Sequence, residues 1–218
     1  MTQHIIAGLF TEGSTDTRFL TPILEKTLAQ IAYECRGQVD TKVELIQISK
    51  TGLSFIEQVL EAAQQGQEFG MRLLCIHLDA DDKTAEHVIK NKLEPAKKSL
   101  SEHYKDIYCI ALIPVHETEA WMLADKDLLK AHIGTSKTDS DLGITKAPET
   151  VTHPKEIIET AIRIAREHQT KKRRQNLVIA DLYLPIGQAV EVEKLDQLPS
   201  YQDFKEDVRE AFRALNLL

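Results

Sequence analysis

The chain has 218 residues, 42% hydrophobic and 28% charged, with a formal net charge of −7. That length fits one large domain, or one domain with a small appendage, and it buries a core without disulfides or metal. The acid excess excludes a basic protein that coats DNA, but not a nuclease, whose metal site is itself acidic.

The elements alternate along the first half. Residues 5–11 are apolar and predict a strand, broken by Gly13-Ser14-Thr15. Residues 16–34 carry apolar side chains at helical spacing, through Phe19, Leu20, Ile23, Leu24, Leu28 and Ile31. Residues 43–48 alternate as a strand, and 52–63 return to helical spacing. Residues 73–78 form a strand-like run ending in acid. Residues 84–104 read as a polar-faced helix with a break at Pro95, and 107–115 form a fourth strand. Strands separated by helices imply crossovers, so residues 1–125 read as an α/β core: a Rossmann-like, mainly parallel sheet flanked by helices. Residues 126–218 read as a loop and helical extension packed on that core. The loop covers 135–152, a helix starts at Pro154, and further helical segments cover 176–184 and 204–215.

Three cysteines, Cys35, Cys75 and Cys109, stand without a CxxC pair, as in a reduced cytoplasmic protein. The apolar runs are too short for a membrane span. The amino terminus lacks the basic start of a signal peptide.

Three acidic clusters fall at the carboxyl end of a predicted strand. They are Glu12 in Glu12-Gly13-Ser14-Thr15-Asp16, then Asp79-Ala80-Asp81-Asp82, then His116-Glu117-Thr118-Glu119-Ala120-Trp121. Open α/β sheets place their functional crevice at these ends. If strands one, three and four are neighbours, the carboxylates converge, and like charges at close range need a cation. Hard oxygens select Mg2+ or Mn2+ over zinc. In extended backbone residues i and i+2 share a side, so Asp79 and Asp81 are expected to reach one ion together. Asp82 reads as a helix cap and Asp16 as a first-turn acid favoured by the helix dipole. Five carboxylates (Glu12, Asp79, Asp81, Glu117, Glu119) suffice for two ions roughly 3.5–4 Å apart that activate water and stabilise a leaving oxygen. A one-ion site on Glu12, Asp79 and Asp81 is the alternative.

Other residues carry weaker signals. Lys50 and Lys83 lie near strand ends and suit substrate phosphate. His77 and His116 adjoin the acidic motifs, as proton shuttles or as structural histidines. Trp121 reads as core. Lys171-Lys172-Arg173-Arg174 is the densest basic run, better read as neutralising a helix C-terminus than as gripping a nucleic-acid backbone. There is no phosphate-binding loop GxxxxGK[ST], no GxSxG elbow and no calcium loop after Asp79.

The Glu-Gly motif at Glu12, the Asp79-x-Asp81 pair and the later acidic motif resemble the Toprim domain of topoisomerases, primases and nucleases of the overcoming-lysogenization-defect type. Glu12-Gly13-Ser14-Thr15-Asp16 and the block from His116 to Asp125 are similar to a Toprim-like group of bacterial proteins catalogued as a domain of unknown function. The likeness extends to Pro154-Lys155-Glu156 and Leu198-Pro199-Ser200-Tyr201, so it covers most of the chain. It implies metal-dependent phosphodiester chemistry, with Glu12 as ligand or general acid/base, Asp79 and Asp81 holding Mg2+ or Mn2+, and Glu117 and Glu119 serving a second ion. It also implies a nucleic-acid substrate and an ATPase partner in anti-phage defence. A homo-oligomer is compatible with it. Two other functions compete: a non-catalytic Toprim-fold regulatory subunit, and a phosphatase with Asp79 as nucleophile and Asp81 as acid, against which Lys83 stands where a Thr or Val is usual.

Overall fold

The computed structural model describes residues 2–168 and 177–218. The basic run at Lys171–Arg174 lies outside the described residues. Four strands form one sheet: β1 (Gln3–Phe10), β2 (Val39–Leu45), β3 (Leu73–His77) and β4 (Tyr108–Leu112). Their order is β2-β1-β3-β4, and every pairing is parallel. The α/β sheet read from the alternation is therefore present, and strands one, three and four are neighbours. β2 starts and ends earlier than expected. It is the outer strand beside β1, its pattern is half exposed, and its polar residues Asp40, Thr41 and Lys42 hid it from a hydrophobic reading.

Helices cover both faces. α1 (Ser14–Ala32) and α2 (Phe55–Glu68) occur close to the expected positions. A capping box starts α2: the Ser54 side chain accepts from Glu57 N–H while Ser54 N–H donates to the Glu57 carboxylate at 2.7 Å. The third crossover is interrupted. It comprises α3 (Glu86–Val88), a π turn (Ile89–Leu93) and α4 (Glu94–His103). Pro95 lies in the first turn of α4, where its missing N–H costs least. The wider π turn just before it absorbs the break that a proline imposes.

Alternation along the strands separates two cores. Ile5, Ala7, Leu9, Leu73, Cys75, Ile110 and Leu112 face α1. Phe10, Leu74 and Ile76 face the other side, with Val59, Ala62 and Ala63 of α2. β3 is buried throughout its length, as expected for a central parallel strand.

The rest of the chain joins the α1 side. It forms α5 (Glu119–Met122), α6 (Lys126–Ile133), α7 (Asp139–Leu142), α8 (Pro154–Ala165), α9 (Tyr183–Ala189), α10 (Val192–Leu195) and α11 (Pro199–Ala214). The expected surface loop contains α7, closed by a Thr138/Asp141 capping box. α9 lies tight on α1: a Cβ at Gly187 would sit 2.5 Å from the Phe19 carbonyl oxygen. Lys26 donates from α1 to the carbonyls of Gly187, Gln188 and Val190 at the end of α9. These acceptors are helix-end carbonyls that would otherwise be unpaired. No helix among the described residues is long and apolar enough to cross a membrane.

Candidate metal centre

The β1–α1 turn is tied from several sides. Thr11 Oγ1 donates to Gly13 O at 2.9 Å and meets Thr17 Oγ1 at 2.7 Å. The Lys50 amine donates to the carbonyls of Thr11 and Glu12 at 2.7 and 2.9 Å and lies 5.0 Å from the Phe10 ring centre. Lys50 thus supports the Glu12 loop from behind. A Cβ at Gly13 would come within 2.6 Å of Asp16 Oδ2. Glycine here lets the Asp16 carboxylate fold back over the turn. The Glu12 carboxylate faces outward and pairs at 3.5 Å with Lys92 of the π turn.

Beyond their ends, β3 and β4 stay zipped. Leu78 N donates to Leu112 O, Ala80 N to Pro114 O, Asp81 N to His116 O and His116 N to Asp82 O. Asp81 and His116 both have positive φ, 53° and 60°. Such backbone is uncommon outside glycine and gathers at functional sites. At Asp81 it breaks the alternation assumed for Asp79-Ala80-Asp81. Asp79 faces inward and half-buried, whereas Asp81 is exposed. Asp82 is not a helix cap either; Ala85 holds that position, and the Asp82 carboxylate accepts from Lys83 N–H at 2.7 Å. The Lys83 side chain is exposed.

Asp16, His77 and Asp79 do come together. Each offers a ligand atom, and these atoms all lie within 4.8 Å of one another. Thr118 fixes the group. Its N–H and hydroxyl reach Asp79 Oδ1 at 2.9 and 3.3 Å, and its hydroxyl lies 3.0 Å from His77 Nε2. His77 Nε2 is itself 3.3 Å from Asp79 Oδ1. The His77 side chain is fully buried, and its Nδ1 has no partner among the described residues.

The third motif closes the crevice. Glu117 Oε2 is buried without a partner among the described residues. Glu119 is almost fully buried and accepts the Tyr183 hydroxyl, with Lys155 Nζ at 4.0 Å. Burial pushes the Glu119 carboxyl up, the Tyr183 hydrogen bond opposes this, and the Glu117 charge adds to it. Burial also raises the Tyr183 phenol, as do Glu119 and, more weakly, Asp16 and Glu117. The helical extension therefore reaches the acidic group through Tyr183 and Lys155. His116 is buried beside it.

Of the residues expected at the site, Asp79, Glu117 and Glu119 line this interior and Glu12 its rim. Asp81, Lys50 and Lys83 do not belong to the close cluster. Asp16, Thr118, Tyr183, Lys92 and Lys155 escaped the sequence reading. For Asp16 a signal was present, since Gly13 three residues earlier is the small residue its carboxylate needs. An imidazole and two carboxylates, with a third carboxylate oxygen buried and unpaired nearby, suit a divalent cation.

A family model described as "Domain of unknown function (DUF4276)" matches residues 11–211. No curated protein and no solved structure matches the chain.

Proposed function

The chain belongs to the DUF4276 family, and we propose that it is a divalent-metal-dependent hydrolase of phosphodiester bonds, a Toprim-type nuclease acting on DNA or RNA. The observation that carries this reading is the cluster of Asp16, His77 and Asp79 at the carboxyl ends of adjoining parallel strands. Asp16, His77 and Asp79 would hold the ion, Mg2+ or Mn2+, with Glu117 available beside them. The imidazole weighs against Mg2+, which prefers an all-oxygen shell, so Mn2+ is the ion to test first. When bound, such an ion polarises a phosphoryl oxygen and acidifies water.

The chain's own groups have separate tasks. Thr118 orients both Asp79 and the His77 ring. Glu12 stands at the rim, where it takes a proton from the attacking water. Lys92, paired with Glu12 in the free protein, and exposed Lys83 meet the substrate's phosphates. Lys50 keeps the Glu12 loop in place. The Toprim resemblance extends the proposal to an ATPase partner in anti-phage defence.

Calorimetric titration with Mn2+ tests the site. Wild type is expected to bind, and Asp79→Asn and His77→Gln to lose at least about tenfold in affinity. Asp81→Asn is expected to change it less. Metal-dependent cleavage of plasmid DNA or RNA, absent in Asp79→Asn, completes the case. Failure of wild type to bind Mn2+ and to cleave either substrate would favour the non-catalytic regulatory subunit.

A further inference from the structure

β4 is an outer strand of the sheet. Its even-numbered residues turn toward β3: Tyr108 N bonds Arg72 O, and Leu112 O and Pro114 O accept from Leu78 and Ala80. The odd-numbered residues therefore direct their backbone groups outward. α11 covers the first part of this edge. Asp207 accepts the Ala111 N–H at 3.1 Å while Lys97 holds that carboxylate at 3.3 Å. Tyr108 OH reaches Ala214 O at 3.3 Å. Further along, the cover stops. The N–H groups of Ile113 and Val115 have no partner among the described residues. Native sheets seldom leave such an edge bare.

A cleft of about 600 Å3 opens there, between the β4 edge, the π turn and α11. Ile89, Leu93, Ile113 and Phe204 give it apolar walls. Among the described residues, four carboxylates line it against the single cation Lys97. Asp207 and Glu206 already have cationic partners within the chain. Glu86 and Asp203 have none among the described residues, and both are exposed.

We propose that this cleft receives an extended, lysine- or arginine-bearing segment of a partner protein, which adds to β4 as a fifth strand. The Ala111 carbonyl, both backbone groups of Ile113 and the Val115 N–H, which have no partner among the described residues, supply a ladder for main-chain hydrogen bonds, while Asp207 holds the Ala111 N–H and Glu117 N–H the Val115 carbonyl. At about 3.3 Å per residue, the stretch accommodates a segment of about five residues. Side chains on one face of the segment meet Ile89, Leu93 and Glu86, and those on the other meet Phe204 and Asp203, so each face of the added strand finds an apolar wall with a carboxylate beside it. The same carboxylates repel a nucleic-acid backbone. The cleft adjoins the zipped Asp81 and His116 loops, so its occupant lies beside the acidic centre. The proposal does not depend on metal-dependent hydrolysis.

The test uses the full chain, labelled with 15N, and two capped peptides, Val-Lys-Val-Arg-Val and Val-Glu-Val-Glu-Val. The basic peptide is expected to shift the Ile113 and Val115 amides saturably. The double variant Glu86→Lys/Asp203→Lys is expected to weaken it at least about tenfold, as for a loss of charge-assisted contacts. An unchanged Mn2+ isotherm or amide spectrum outside the cleft shows that the variant is folded. Absence of saturable shifts, equal binding of the glutamate peptide, or shifts confined to another surface would overturn the proposal.

Discussion

Two buried polar networks flank α5, and only one is closed. On one side, Trp121 Nε1 donates to Ser200 Oγ at 2.8 Å, and Ser200 Oγ donates to Glu149. Trp121 packs edge-on against Tyr201, whose hydroxyl meets Thr27 Oγ1 at 2.7 Å, and Thr27 bonds the Ile23 carbonyl. On the other side, Thr118 links His77 and Asp79, but among the described residues His77 Nδ1 and Glu117 Oε2 stay unpaired. A buried polar atom without a partner costs free energy, while a paired one is close to neutral. The closed network therefore serves the scaffold. The open one keeps a cost, and buried unsatisfied groups of this kind point to a site that a ligand completes.

The largest expected effect lies in the closed network. Trp121→Ala removes a fully buried indole and the N–H that donates to Ser200 Oγ, leaving the hydroxyl only its bond to Glu149. It is expected to lower stability by about 3–5 kcal/mol in urea denaturation. The protein that remains folded should bind Mn2+ with wild-type affinity. A parallel loss of affinity would mean that the two networks act as one unit.

His77→Leu probes the open network and should split the two properties the other way. Leucine removes the orphaned nitrogen with little change in bulk. Stability without metal is expected to stay level or rise by about 1 kcal/mol. The rise in Tm expected of the wild type with Mn2+ should be absent from the variant, since only a ligand that binds the folded state stabilises it. A loss of several kcal/mol without metal would assign His77 to the scaffold instead.

This contrast explains what the sequence could and could not convey. The strands, their parallel pairing and the acids at their ends were legible, because period-two apolar runs and strand-end placement are local signals. The partners of Asp79 were not. Asp81 looked equivalent to it until the positive φ turned it away. Asp16 looked like an ordinary first-turn acid, and its return to the crevice needs Gly13 and the β1–β3 pairing. Tyr183 and Lys155 arrive from helices more than 30 residues downstream of α5, where no spacing rule connects them to Glu119. The π turn, which brings Lys92 to Glu12, depends on a proline whose effect appears one turn earlier.

The smallest effect tests an ion pair that belongs to neither network. Arg209 of α11 grips Glu34 through two hydrogen bonds, 3.0 and 2.9 Å, and this holds the Glu34 carboxyl below its usual range. A carboxyl depressed in the folded state stabilises it above the unfolded pKa, and that stabilisation is lost as pH falls through the folded pKa. The Glu34 side chain is 39% exposed, so solvent screening leaves less than about 1 kcal/mol. Glu34→Gln should therefore be slightly less stable than wild type at neutral pH, and the gap should close at acid pH once Glu34 is protonated. High salt should narrow it as well. A gap that persists in acid would show that the contact between α11 and the end of α1 is packing rather than charge. At neutral pH Glu34→Gln should bind Mn2+ as the wild type does, because this pair shares no atom with the open network.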